Sequence, residues 1–317
     1  MAQAIDPEIK LFVDGVAAAY ARHPNVMTVP YDQGRAIVEE VRRPWRDGGP
    51  PMASSEDRVL SLPCGPLRIR IHRPTVHKNQ AALVYLHGGG FTFFSIDTHD
   101  RVMREYAARA SVTVIGADYP LSPEAKFPAA LERIAALMEW LAEHSAEIGI
   151  DSGRIAIGGD SAGGNLSVAT ALLLRDRGKP ALIKTMVLNY AGLSPISSEE
   201  AKAVFGGEDA ILTAAEVDFF WANYLRGPED KNNPLANVLS ADPTGLPPAI
   251  FIVAEMDLLA EQSPLMAQRM IAAGGRAVVK TYAGAVHGFI EAAAISALAR
   301  RGLQDAADWL ARELART

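Results

Sequence analysis

Gly159-Asp160-Ser161-Ala162-Gly163 sets one serine between two glycines, with the apolar run RIAIG before it and the helical pattern NLSVATALLLRD after it. A strand that turns so tightly into a helix leaves no room for a Cβ at either glycine, and the turn holds the serine hydroxyl out at the end of the sheet. A hydroxyl presented in this way, with a base beside it, attacks carbonyl carbon. The G-x-S-x-G pattern alone is weak; the strand and helix that flank it give it weight. The start of that helix also supplies free N–H groups and a positive field where an oxyanion would form.

A second glycine cluster, His87-Gly88-Gly89-Gly90, follows the apolar run AALVYL. Successive glycines cost backbone entropy and are expected where backbone must approach a ligand closely. The amides of Gly89 and Gly90, joined by that of Ala162, are the expected donors to a developing alkoxide, each such donor being worth about 3 kcal/mol of barrier. His87 lies inside the donor loop, so a structural role is expected for it.

The serine needs a base, and the base a carboxylate that orients it. In α/β hydrolases, which this elbow resembles, the acid and the histidine follow the serine in that order along the chain. Of the seven histidines only His287 follows Ser161, in a loop expected after the strand RAVVKTY. Asp257 ends the strand AIFIVAE and is the expected acid. Its rivals are placed less well: Glu255 still belongs to the strand, and Glu261 falls in the next helix.

Eight short β-rich runs can position these residues: 57–62, 67–73, 81–86, 111–117, 154–158, 184–189, 249–254 and 276–281. Several are continuously apolar, as strands covered on both faces must be. Helical patterns at 100–110, 128–144 and 165–175 lie between them, so the expected fold class is α/β, a wound and mostly parallel sheet flanked by helices. The short CGP turn joins the first two strands as a hairpin and so introduces one antiparallel member. Residues 1–52 and 193–247 break the alternation. They are expected to form a helical cap over a catalytic core made of residues 53–192 and 248–317.

Composition agrees with a large core: 317 residues, of which 49% are hydrophobic and 21% charged. The net charge of −6 and the lack of a Lys/Arg cluster argue against a nucleic-acid partner. The one cysteine, Cys64, excludes an intrachain disulfide and a zinc site built on thiolates, and it is read as a buried or turn residue. The opening MAQAIDPEIKLFVDG lacks a basic region and a long apolar run, so a cytoplasmic protein with no stable membrane anchoring is expected.

Five motifs in order, HGGGF at 87–91, DYPLSPEAKFPAA at 118–130, GDSAGGNL at 159–166, AEMDLL at 254–259 and HGF at 287–289, resemble the bacterial hormone-sensitive-lipase-like esterases, in the subgroup with a GDSAG elbow. The resemblance runs from about residue 57 to the C-terminus. It implies an eight-stranded α/β-hydrolase core with a helical cap, no metal or organic cofactor, and a small-molecule acyl ester of short to medium chain as substrate. It implies Ser161, Asp257 and His287 as triad, and Gly89, Gly90 and Ala162 as oxyanion donors. Homodimers are frequent in such families. An amide or lactone hydrolase with the same triad is the alternative. A binding receptor of the same fold would have lost the histidine, which is present here. The chain departs from the family pattern twice. Leu258-Leu259-Ala260-Glu261 lacks one carboxylate of a usual acidic pair, and Phe93-Phe94-Ser95 stands where a small residue is usual. Phe94 therefore either packs into the core under the cap or lines and shortens the acyl pocket.

Overall fold

The eight expected strands all form, as one sheet in the order β1-β2-β4-β3-β5-β6-β7-β8. They are β1 Ser54–Leu62, β2 Gly65–Arg73, β3 Gln80–Leu86, β4 Thr113–Asp118, β5 Ile150–Asp160, β6 Met186–Asn189, β7 Ala249–Met256 and β8 Ala277–Val286, in a computed structural model that describes residues 4–78, 80–208 and 210–316. β2 pairs antiparallel with both β1 and β4, and the pairs from β4 through β8 are parallel, so β2 is the one reversed member. Cys64 lies exposed in the β1–β2 turn.

Side-chain alternation splits the core in two. Ala82, Val84 and Leu86 of β3 join the apolar cluster on one face, whereas Leu83 and Tyr85 join the cluster on the other. Helices α4 (Ala129–Glu143), α6 (Ala162–Asp176) and α9 (Gln262–Ala272) cover the first face. The second is covered by α1 (Pro7–Tyr20), α2 (Tyr31–Arg46), α3 (Asp100–Ala110) and α10 (Ala297–Leu314). The remaining helices are short α5 (Ser145–Ile148), α7 (Glu199–Phe205) and α8 (Ala214–Tyr224).

Three boundaries differ from the sequence reading in ways that matter for the site. Helix α6 begins at Ala162, not Asn165, because the two glycines after it are helical: a Cβ on Gly163 would lie 2.0 Å from the Leu86 carbonyl oxygen, and one on Gly164 would lie 2.5 Å from Ala191. The glycines that look like a turn are there for close packing, Gly163 against the end of β3 and Gly164 against Ala191 just past β6. Strand β5 begins at Ile150, where it pairs with Gln80, before the apolar run that marks its centre. Strand β8 continues to Val286, so it delivers His287 directly from its end.

Candidate active site

Ser161, Asp257, His287 and the Gly88–Gly90 loop follow β5, β7, β8 and β3 respectively, at the C-terminal ends of parallel strands, where the sheet leaves an open crevice. Ser161 has φ 52° and ψ −117°, a conformation an L-residue holds only when its surroundings enforce it. Its amide donates to the Asn189 carbonyl at 2.9 Å, and its carbonyl accepts from Gly164 and Gly192. A Cβ on Gly159 would sit 2.2 Å from the Leu86 carbonyl oxygen. The elbow is thus clamped on both flanks.

His287 Nε2 lies 2.9 Å from Ser161 Oγ, and its Nδ1 lies 2.7 Å from Asp257 Oδ2. The second oxygen of Asp257 accepts the Leu259 amide at 2.9 Å, which fixes the carboxylate plane. Asp257 is buried, as is most of His287. Burial pushes the imidazole pKa down, but the charge and hydrogen bond of Asp257 outweigh it, with lesser help from Asp160 and Glu291, so the His287 pKa is raised. The rival carboxylates are engaged elsewhere: Glu255 accepts the Gly284 amide, and Glu261 holds the amide and hydroxyl of Ser198.

In the glycine loop, Gly89 and Gly90 have φ of 91° and 59°. The carbonyls of this loop are held: His87 by the Tyr119 hydroxyl, Gly89 by the Thr92 and Phe93 amides, Gly90 by the Thr92 hydroxyl, and Phe91 by the Ser122 amide. Among the described residues the amides of Gly89, Gly90 and Ala162 donate to no protein group. His87 is buried, stacks on Tyr119 at 4.3 Å between ring centroids, and has its pKa pushed down to about 3 by burial and by the neighbouring His99. The ring is thus neutral and meets the Gly88 carbonyl of its own loop through Nδ1 at 2.8 Å.

Residues that the sequence reading did not single out complete the surroundings. Asp160 is buried beside Ser161 and accepts from the Tyr85 hydroxyl at 2.8 Å, while its other oxygen faces His99 Nε2 at 3.3 Å. The Tyr190 ring meets His287 edge-on at 4.9 Å. Arg42 of α2 pairs with Glu291, four positions past His287, at 3.2 Å. Its guanidinium lies 4.9 Å over the Phe94 ring. Phe94 itself borders a cavity of about 520 Å³ above Ser161, whose walls include α1, α2 and the stretch 210–220. Both of the paths left open for Phe94 are therefore half met: it packs beneath α2, and it faces a cavity. Leu259, at a departure from the family pattern, borders a second cavity of about 30 Å³ that also adjoins Ser161. No helix among the described residues is long and apolar enough to cross a membrane.

Comparison with known proteins agrees with this fold. Residues 83–291 match the family described as alpha/beta hydrolase fold. The chain is 36% identical over 267 residues to an acetyl esterase of Salmonella typhi, covering 84% of this chain and 82% of that protein. Its fold superposes on a hyperthermophilic esterase from the archaeon Pyrobaculum calidifontis with a TM-score of 0.91 at 32% identity, over 98% of each chain. A thermostable carboxylesterase cloned from a metagenomic library is also similar, with a TM-score of 0.87 at 35% identity over 91% of this chain and 99% of that one. The chain therefore belongs to the α/β-hydrolase family, among the hormone-sensitive-lipase-like esterases, and is a serine carboxylester hydrolase.

Proposed function

We propose that Ser161 is the nucleophile, His287 the general base and Asp257 the carboxylate that fixes the histidine, acting on small-molecule esters of short to medium acyl chain. The observation that carries the assignment is the continuous chain of contacts from Ser161 Oγ through His287 to Asp257, 2.9 and 2.7 Å long. In this reading His287 Nε2 takes the hydroxyl proton as Ser161 Oγ bonds to the carbonyl carbon, and the carbonyl electron pair moves onto oxygen. The Gly89, Gly90 and Ala162 amides receive that oxyanion; their lack of protein partners supports the role. Collapse of the intermediate breaks the bond to the alcohol oxygen, which takes the proton from His287 and leaves an acyl-enzyme. Water then enters, gives its proton to His287, and releases the acid by the same path in reverse.

Helices α1 and α2 together with residues 193–247 act as the cap that encloses the substrate, and residues 53–192 with 248–317 as the catalytic core. The wall positions of Val16, Val38 and Phe220 around the cavity over Ser161 support that division. The name of the Salmonella relative, acetyl esterase, supports the short end of the acyl range. Ser161→Ala should lower kcat on p-nitrophenyl acetate by about a millionfold, as removal of a triad serine does elsewhere. Circular dichroism and Tm should stay near the parent. A folded Ser161→Ala protein that keeps parental turnover would end the assignment.

A further inference from the structure

Ser161 stands between two cavities that differ widely in size, and the proton path decides which part of the ester each can hold. The cavity of about 520 Å³ is bordered by His287 and Gly288 as well as by Ser161. The cavity of about 30 Å³ adjoins it at Gly90, Ser161, Leu212 and Phe220; Leu259 of the core and Val217 and Trp221 of the cap border the small cavity alone, and His287 does not border it. In the tetrahedral intermediate the carbon carries the serine oxygen, the oxyanion, the bridging oxygen of the alcohol and the acyl carbon. The bridging oxygen must face His287 Nε2 to receive its proton. The oxyanion lies toward Gly89, Gly90 and Ala162. The acyl carbon is left on the side away from the imidazole, where the small cavity opens beside two of those donors, Gly90 and Ala162.

We infer that the small slot takes the acyl group and the large chamber takes the leaving alcohol, so that the substrates are acetyl or propionyl esters of bulky, neutral, largely apolar alcohols. This inference rests on the triad proposed above. The slot measures about 30 Å³, whereas one water needs roughly 10–15 Å³ on the same scale, so it admits one or two carbon atoms beyond the carbonyl. It cannot grow easily, because Val217, Trp221 and Leu259 are all buried. The chamber, by contrast, has the volume of a drug-sized ligand site. Val13, Val16, Val26, Met27 and Phe94 give it an apolar wall.

The charge pattern of the chamber selects for neutral alcohols. Arg42 faces Glu291, Asp160 holds Tyr85 and His99, and Glu216 closes the start of α8 with Thr213. Each of these wall charges is thus already met by the protein. An ionic alcohol would have to give up water without gaining a free counter-charge. The consequence for Phe94 is that it limits the alcohol, since it borders the chamber and not the slot.

Two orthogonal ester series test this with the full-length protein. On p-nitrophenyl esters, kcat/KM should fall at least about 100-fold between propionate and hexanoate, in keeping with the roughly 10- to 200-fold that one excluded methylene can cost. On acetates, kcat/KM should hold or rise from methyl to 4-methylphenyl to 1-naphthyl, and 4-carboxyphenyl acetate should lie at least about tenfold below 4-methylphenyl acetate. Val217→Ala should raise the butyrate-to-acetate ratio about tenfold, and Met27→Trp should lower the 1-naphthyl-to-methyl acetate ratio by a similar factor. Met27→Trp should move the butyrate-to-acetate ratio by less than about twofold. A flat acyl series to octanoate, or variants whose effects are exchanged between the two series, would overturn the assignment. Mass spectrometry after treatment with diethyl p-nitrophenyl phosphate, whose serine adduct is not turned over, separates the two readings. A diethylphosphoryl adduct on Ser161 together with the wrong ester selectivity sinks only the pocket assignment, while no adduct on Ser161 sinks the triad and this inference together.

Discussion

The strand-end half of the active site and the helical half above it are built by different means. Below, the Gly88–Gly90 loop, the Ser161 elbow, Asp257 and His287 hang from the ends of β3, β5, β7 and β8. Backbone does most of the positioning there, through glycines that let β3 and α6 touch and through carbonyls held in place around the donor loop. Above, α1, α2 and α8 contribute side chains to the cavity walls: Val16, Val38, Val217 and Trp221. A ladder of parallel strands admits little variation without loss of register, whereas an apolar wall accepts any side chain of suitable volume. Chemistry is therefore fixed by the lower half and selectivity by the upper.

The sharpest test of the lower half is Asp257→Asn. It keeps the shape of the acid but reverses one hydrogen-bonding group, so His287 is held in the wrong tautomer. Turnover on p-nitrophenyl acetate should fall about 10⁴-fold while KM changes little. The Leu259 amide contact to the other side-chain oxygen can persist, so Tm should drop only slightly. A loss of less than about tenfold would mean that Asp257 is not the orienting group.

What could be read from the sequence follows the same division. The HGGG loop, the elbow and the order of Ser161, Asp257 and His287 are local patterns whose physical meaning is carried by neighbours in the chain, and the structure brings all of them together. The partner contacts across the site were not legible. Arg42 and Glu291 are far apart in the chain, and nothing in either local pattern announces that the two will meet in a buried pair. Tyr190 directly follows β6 in a stretch that reads as core, yet its ring meets that of His287. Asp160 was in view inside the elbow motif, but a carboxylate beside a nucleophile does not reveal that His99 and Tyr85 will balance it. Helix α6 hid its first turn because paired glycines resemble a loop until Leu86 is packed against one and Ala191 against the other.

The bond between the two halves can be broken at that ion pair. Arg42 is 12% exposed and Glu291 8%, so Arg42→Met leaves a carboxylate buried without its cation. Such a loss costs about 3 kcal/mol of stability, whereas replacing both members by residues of similar volume is near neutral. Arg42→Met should therefore lower the urea midpoint markedly, and Arg42→Met with Glu291→Gln should recover most of it. Equal losses in the single and double variants would show that Arg42 stabilises through its packing on Phe94 and Phe12 and not through charge.

The smallest expected effect is on pH dependence, and it joins the two halves because charges from both act on one imidazole. Only neutral His287 can accept the Ser161 proton, so kcat/KM should rise with pH through the His287 pKa. Burial lowers that pKa, but Asp257, then Asp160 and Glu291, raise it above the ordinary histidine value, so the acid limb should lie above about 6.5. For stability the sign is opposite. A pKa raised in the folded protein means that the imidazolium–Asp257 attraction is fully present below the unfolded-state value near 6.5 and is lost as pH rises through the folded value. Activity should therefore increase over the window in which this contribution to Tm declines. Glu291→Gln removes one negative charge near the ring while Arg42 remains, so it should shift the limb to lower pH without altering the plateau. Asp160→Asn should shift it in the same direction, by loss of the stronger of the two contributions, although His99 then loses its partner. A limb that stays fixed in Glu291→Gln while the protein remains folded would show that the helical half acts on the substrate alone and leaves the base untouched.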